Sequence, residues 1–164
     1  MNKDIVPENF SISLVILDLI SVLFFSLSTF LIAYRIHSKL FIFGSILCFC
    51  AGFCKVLWKF IVVLAKKNIW PLYIQLRFFM PLGFVFMIIS IILFRNQIDW
   101  KIVLNLIFSV PQIIFFFLGI LGMIFMGIFA FTLDGKDLKS NWLEEITNGL
   151  SQIFIFLGII FSSL

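Results

Sequence analysis

The sequence predicts an all-α, polytopic integral membrane helix bundle of about five transmembrane helices. Two observations predict it. Hydrophobic residues make up 63% of the 164-residue chain and charged ones 12%, where a soluble domain runs at roughly 45–50% and about 25%. The apolar residues also come in continuous runs of membrane-spanning length, with most charges near their ends. So short a chain could not hide this surface in a water-soluble core, so lipid must be the solvent. Membrane strands would alternate with a period of two in segments of about ten residues. These runs do not alternate, which leaves helices. Residues 1–164 read as a single transmembrane domain.

The first span is expected over residues 11–34, after Pro7 and Asn9, which suit a helix start. Its apolar run exceeds the roughly 7–15 residues of a signal-peptide core, so it is expected to persist as a span. Arg35, His37 and Lys39 then form a short basic loop. The second span covers 40–64 and closes at Lys66, Lys67 and Asn68. The third covers 71–94, with Pro71 in the first turn, where a missing N–H is harmless. A kink is expected at Pro81.

The apolar stretch 101–131 would be roughly 46 Å long as one helix, more than the hydrocarbon core of about 30 Å. Pro111 divides it. Residues 99–109 read as an interfacial helix and 111–132 as the fourth span; one long tilted helix is the alternative. The fifth span, 142–161, follows a polar loop, and Asn141 with Glu144 has the spacing of a capping box. Short loops make sequential helices antiparallel neighbours.

The Lys and Arg residues favour one side. Lys3, Lys66, Lys67, Lys136 and Lys139, with Lys55, Lys59 and Arg77 near the same face, stand against Arg35, Lys39, Arg95 and Lys101. The expectation is a multi-pass cell-membrane protein with a cytoplasmic amino terminus and an external carboxy terminus. The basic residues form no tail, so nucleic acid is not an expected partner.

A charge at membrane depth costs a few kcal/mol unless paired or wetted, so charges inside the spans select the candidate site. At 100° per residue, Gly44, Cys48, Gly52, Lys55 and Lys59 fall in one stripe of span two. The glycines would let another helix approach closely. The lysines would either snorkel to the interface or line a cationic groove. Asp18, with Ser11, Ser21, Ser26 and Thr29, marks a polar face of span one. Aspartate is too short to snorkel, so its simplest partner is Lys55 or Lys59. On span three, Trp70, Tyr73 and Arg77 share a face. Arg77 would either anchor at an aromatic belt or join Asp18, where its fork could hold a carboxylate or phosphate. On span five, Glu145, Asn148 and Gln152 share a face. Capping would explain Glu144 and Glu145, but not the two amides deeper in. On span four, Gly119, Gly122, Gly127 and Ala130 suggest a packing surface, inside the bundle or at an oligomer axis. Gln112 has no assigned role.

Cys48, Cys50 and Cys54 lack the spacing of a zinc site, and His37 is the sole histidine. Neither a metal nor a cofactor is expected. Phosphate-loop, metalloprotease and serine-hydrolase motifs are missing, and a lipid-modifying enzyme built on Asp18, Glu145 and Arg77 has no motif behind it.

The favoured reading is a non-enzymatic membrane protein with a cytoplasm-facing polar vestibule. Its residues would be Asp18, Lys55, Lys59, Arg77, Glu145, Asn148 and Gln152, binding or conducting an ion, small solute or anionic lipid head group. Helix packing or oligomer contacts would use Gly44, Gly52, Gly119, Gly122 and Gly127. Thin as this bundle is, a homo-oligomer or a place in a larger membrane complex is expected. The alternative is a sensor or anchoring subunit that docks a soluble cytoplasmic partner through Lys66, Lys67 and the loop 134–139.

Overall fold

The computed structural model describes residues 10–133 and 137–162. Five helices are long and apolar enough to cross a membrane. Helix α1 is Ile12–Ile36 and α2 is Lys39–Ala65. A third span is built from α3 (Trp70–Ile74) and α4 (Leu76–Leu93). A short helix α5 (Trp100–Phe108) precedes α6 (Gln112–Thr132), and α7 is Leu138–Phe161.

Each start has a local cause. Ser11 caps α1 by accepting from the Leu14 N–H at 3.3 Å, and Ser38 does the same for Phe41. Asp99 caps α5 by accepting from Lys101 and Ile102 N–H. These oxygens satisfy donors that a helix start leaves without partners. The link between α1 and α2 is tighter than expected: only His37 and Ser38 lie outside the helices. His37 turns the chain with φ 54° while its N–H returns to the Ala33 carbonyl. Arg35 and Lys39 thereby become helix-end residues rather than loop residues.

Two expectations about the spans are corrected. The fifth begins at Leu138, not Trp142, because Asp137 is the cap: its carboxylate accepts from the Ser140 N–H at 3.0 Å. Asn141 is buried inside the helix, so no capping box exists. Glu144 and Glu145 then lie about two turns in, where the helix dipole no longer accounts for them. The third span is interrupted at Gln75, and Pro81 sits within α4. The Gln75 side-chain amide donates to Ala51 O on α2 and to Leu72 O. Pro71 does occupy the first turn of α3, and Pro111 does separate α5 from α6.

The main interfaces run in the order α4–α2–α1–α7–α6. Side-chain contacts give the directions. Asp18 near the start of α1 meets Lys59 near the end of α2, so these helices are antiparallel. Ser38 meets Ser90 and Gly44 meets Gly83, so α2 and α4 are antiparallel. Asp18 meets the Lys59 that also holds Glu145, while Arg35 at the far end of α1 reaches Ile159 O, so α1 and α7 are parallel. Gln112 reaches Phe161 O, so α6 and α7 are antiparallel. The helices form an open row. Its middle members α1, α2 and α7 bury polar groups, while little of α4 and α6 is covered.

Glycines set the closest approaches. A Cβ on Gly44 would stand 2.6 Å from Gly83 O, and one on Gly52 would stand 3.0 Å from the Val22 side chain. One on Gly119 would meet Ile155 at 2.6 Å, and Gly122 lies against Ser151. Gly127 meets nothing within 4 Å. The expected single surface on span four is thus divided: Gly119 and Gly122 face α7, and Gly127 does not. The side chain of Ala130 lies outside the described residues.

Candidate functional site

Asp18, Lys55, Lys59 and Glu145 meet between α1, α2 and α7. The Lys59 ammonium stands 2.5 Å from Asp18 Oδ2 and 2.5 Å from Glu145 Oε1. The Lys55 ammonium stands 3.5 Å from each of those same oxygens. Each oxygen therefore touches both nitrogens, and the four formal charges cancel.

Helix register makes this possible. Asp18 is six residues into α1, Lys59 is six from the end of α2, and Glu145 is seven into α7. All three sit roughly 10 Å inside the same end of the bundle at 1.5 Å per residue. Lys55 and Lys59 are one turn apart on α2, so both project to the same side. Gly149, four residues beyond Glu145, lets α7 lie close to α1: a Cβ there would be 3.3 Å from Ser21 Oγ and 3.5 Å from Leu17.

The four side chains are not equally enclosed. Asp18 is 2% exposed, Lys59 4%, Glu145 9% and Lys55 27%. Phe10 covers Lys59, with its ring centroid 5.6 Å from the ammonium, and packs edge-on against Trp58 at 5.6 Å. The Trp58 indole donates to Asn68 at 2.9 Å. Lys59 is thus sealed and tightly paired, whereas Lys55 is loosely paired and partly open. Asp18 Oδ2 makes ionic contacts but no hydrogen bond. Glu145 Oε2 is buried with no hydrogen-bond partner.

Such an arrangement is a poor source of net stability. Desolvation of buried ions offsets most of their attraction, but removing one partner strands the other at a cost of about 3–5 kcal/mol. What the cluster supplies is register among three helices, together with one cation that is not fully committed.

The remaining candidates lie elsewhere. Arg77 is exposed and sits over the Tyr73 ring at 5.7 Å, beside Trp70. Of the two expectations for Arg77 this is the aromatic-belt arrangement, and it does not bring Arg77 to Asp18. Gln152 donates to Met123 Sδ of α6 at 3.3 Å and to Asn148 Oδ1 at 3.5 Å. These amides therefore serve the α6–α7 contact. The stripe on α2 also divides. Gly44 and Cys48 face α4, whereas Gly52, Lys55 and Lys59 face α1 and α7. All five still lie within about 80° of one another at 100° per residue, so what divides them is their place along α2 and the reach of the lysine side chains.

Sequence reasoning missed Gly83, Gly149, the buried Ser38–Ser90 pair at 2.6 Å, and Phe10 as the cover. Gly149 could have been found as the small residue one turn beyond Glu145. A shallow groove of about 170 Å³ between α6 and α7 is lined by Leu118, Gly122, Phe125 and Phe154 among others and carries no charge. Comparison with protein-family models, curated proteins and solved structures yields no match to this chain.

Proposed function

We propose that this is a non-enzymatic integral membrane protein that binds a small anionic group at Lys55. The single observation behind this reading is the unequal hold on the two lysines. Lys59 has both carboxylates at 2.5 Å and is sealed; Lys55 has them at 3.5 Å and is 27% exposed. An ammonium in that state can exchange loose pairing for a shorter charge-assisted contact with an incoming anion. Asp18, Lys59 and Glu145 form the floor that places it. With the amino terminus in the cytoplasm, the site opens toward the cytoplasmic leaflet. The anion is the phosphate group of a lipid or a free ion of similar size. Arg77, Asn148 and Gln152 have no part in the site.

The test uses nanodiscs of phosphatidylcholine containing a minor share of phosphatidylglycerol, with native mass spectrometry counting the lipids each protein retains. Wild-type protein is expected to enrich phosphatidylglycerol, and Lys55→Met to lose about tenfold of that enrichment. Lys66→Gln/Lys67→Gln, at the surface, is expected to retain it. Loss of retained lipid on adding sodium nitrate, with nitrate bound in its place, would identify a free anion as the ligand. Equal enrichment in Lys55→Met and wild-type protein refutes the reading.

A further inference from the structure

We infer that anion binding at Lys55 is coupled to uptake of one proton by Glu145. The inference rests on the reading of Lys55 above. Its starting point is charge. The cluster holds two cations and two anions. An anion arriving at Lys55 leaves a net negative charge enclosed among three helices, where unbalanced charge is costly. The simplest correction is a proton on one of the two carboxylates.

Geometry selects Glu145. Both of its ionic contacts, the short one to Lys59 and the loose one to Lys55, fall on Oε1, and Oε2 is buried with no hydrogen-bond partner among the described residues. A buried acceptor left unsatisfied is costly, and a proton placed there removes the charge that burial penalises. Asp18 is the more enclosed, 2% exposed against 9% for Glu145, so Glu145 is the more accessible carboxylate. Among the described residues, the groups around Glu145 are few. Asp18 faces it from α1, Lys55 and Lys59 from α2, and half-buried Glu144 is its neighbour on α7. Helix α6 contains no titratable side chain.

The step balances. The Glu145 carboxylate gains a proton at Oε2, and its O–H bond is the only covalent bond formed. Lys59 remains paired with Asp18. Lys55 exchanges its two loose carboxylate contacts for the anion. Site and ligand together stay neutral, so one proton and one monovalent anion enter as a unit.

The experiment is calorimetric titration of the full chain, in an uncharged detergent, with short-chain phosphatidylglycerol. Its phosphodiester keeps a single charge from about pH 5 to 9, so it contributes no protons of its own. Repeating the titration in buffers of different ionisation enthalpy gives the protons taken up per lipid. Wild-type protein is expected to take up close to one, with affinity rising up to about tenfold per unit of falling pH. Glu145→Gln is expected to bind with uptake near zero and a flat pH profile. Glu144→Gln is expected to behave as wild type and, being outside the cluster, provides a folded reference if Glu145→Gln does not assemble. In that protein, labelled with 13C-glutamate, an isotope-shifted carboxylic-acid C=O infrared band, distinct from the ester carbonyls of the lipid, should grow as lipid is added. Binding without proton uptake, uptake unchanged in Glu145→Gln, or no growth of that band overturns the coupling and leaves the Lys55 site standing. Binding of neither this lipid nor nitrate by wild-type protein removes the site itself, and the coupling with it.

Discussion

Lys59 and Lys55 are the same residue type one turn apart, yet their removal should have different consequences. Lys59→Met leaves two enclosed carboxylates sharing only the loosely held Lys55, and unfolding in an SDS titration is expected to show a loss of about 3–5 kcal/mol. Lys55→Met should cost less, because Lys59 still touches both Asp18 and Glu145 and the Lys55 side chain is 27% exposed. Combining Lys59→Met with Asp18→Asn leaves Lys55 opposite Glu145, one charge against one. The double variant is therefore expected to recover about 1 kcal/mol or more relative to the sum of the single changes. At this scale the sequence was partly legible. Asp18 needed a partner because of its depth and shortness, and the structure supplies both candidate lysines. Glu145 was harder to read because an apparent cap, Asn141, offered a cheaper account of it. Arg77 admits two readings, an aromatic belt and a vestibule, because spacing alone does not say which neighbour a face meets; it lies over Tyr73.

Among the elements, α2 and α4 form the tightest join. A Cβ on Gly83 would stand 2.5 Å from Cys48 Sγ and 2.7 Å from the Gly44 carbonyl. Since backbone is involved, the helices must part, and Gly83→Ala is expected to cost about 1–3 kcal/mol. Gly127→Ala meets no neighbour, and the same unfolding measurement should show unchanged or raised stability. The start of α7 carries a pH signature. The Ser140 backbone N–H first, and then its hydroxyl, hold the Asp137 carboxyl below the usual carboxylate range. A depressed folded value means that the cap acts above the unfolded value of about 3.9. Its contribution is lost as pH falls through the folded value. Hydrogen-exchange protection at the first turn of α7 is expected to fall below about pH 4, and Asp137→Ala should remove the pH dependence. Span centres were legible because apolar length leaves little choice. The fifth span's start was not, since Asp137 and Asn141 are both good caps and only packing decides between them.

For the molecule as a whole, the observed helix directions place Phe10 and Ser162 at opposite ends of the bundle. Lys67 and Leu138 share one side, and Lys39 and Gln97 share the other. In a protein whose native cysteines are replaced, a membrane-impermeant maleimide should label Lys67→Cys and Leu138→Cys from one side. Lys39→Cys and Gln97→Cys should label only from the opposite side; mixed labelling within either pair would refute the topology. The number of spans and their alternation could be read from the sequence. Their lateral order could not, because short loops suggest sequential neighbours, whereas α1 lies between α2 and α7. That order has a consequence for synthesis. Before α7 exists, Asp18 faces Lys55 and Lys59 alone, and the growing chain holds one positive charge too many below its surface. Helix α7 emerges after α1 and α2 and brings the missing negative charge, so its arrival closes an electrostatic latch. A chain stopped at Thr132 is expected to be unstable in cells, and residues 133–164 supplied as a separate polypeptide should restore its abundance. Glu145→Lys in that second polypeptide should abolish the rescue.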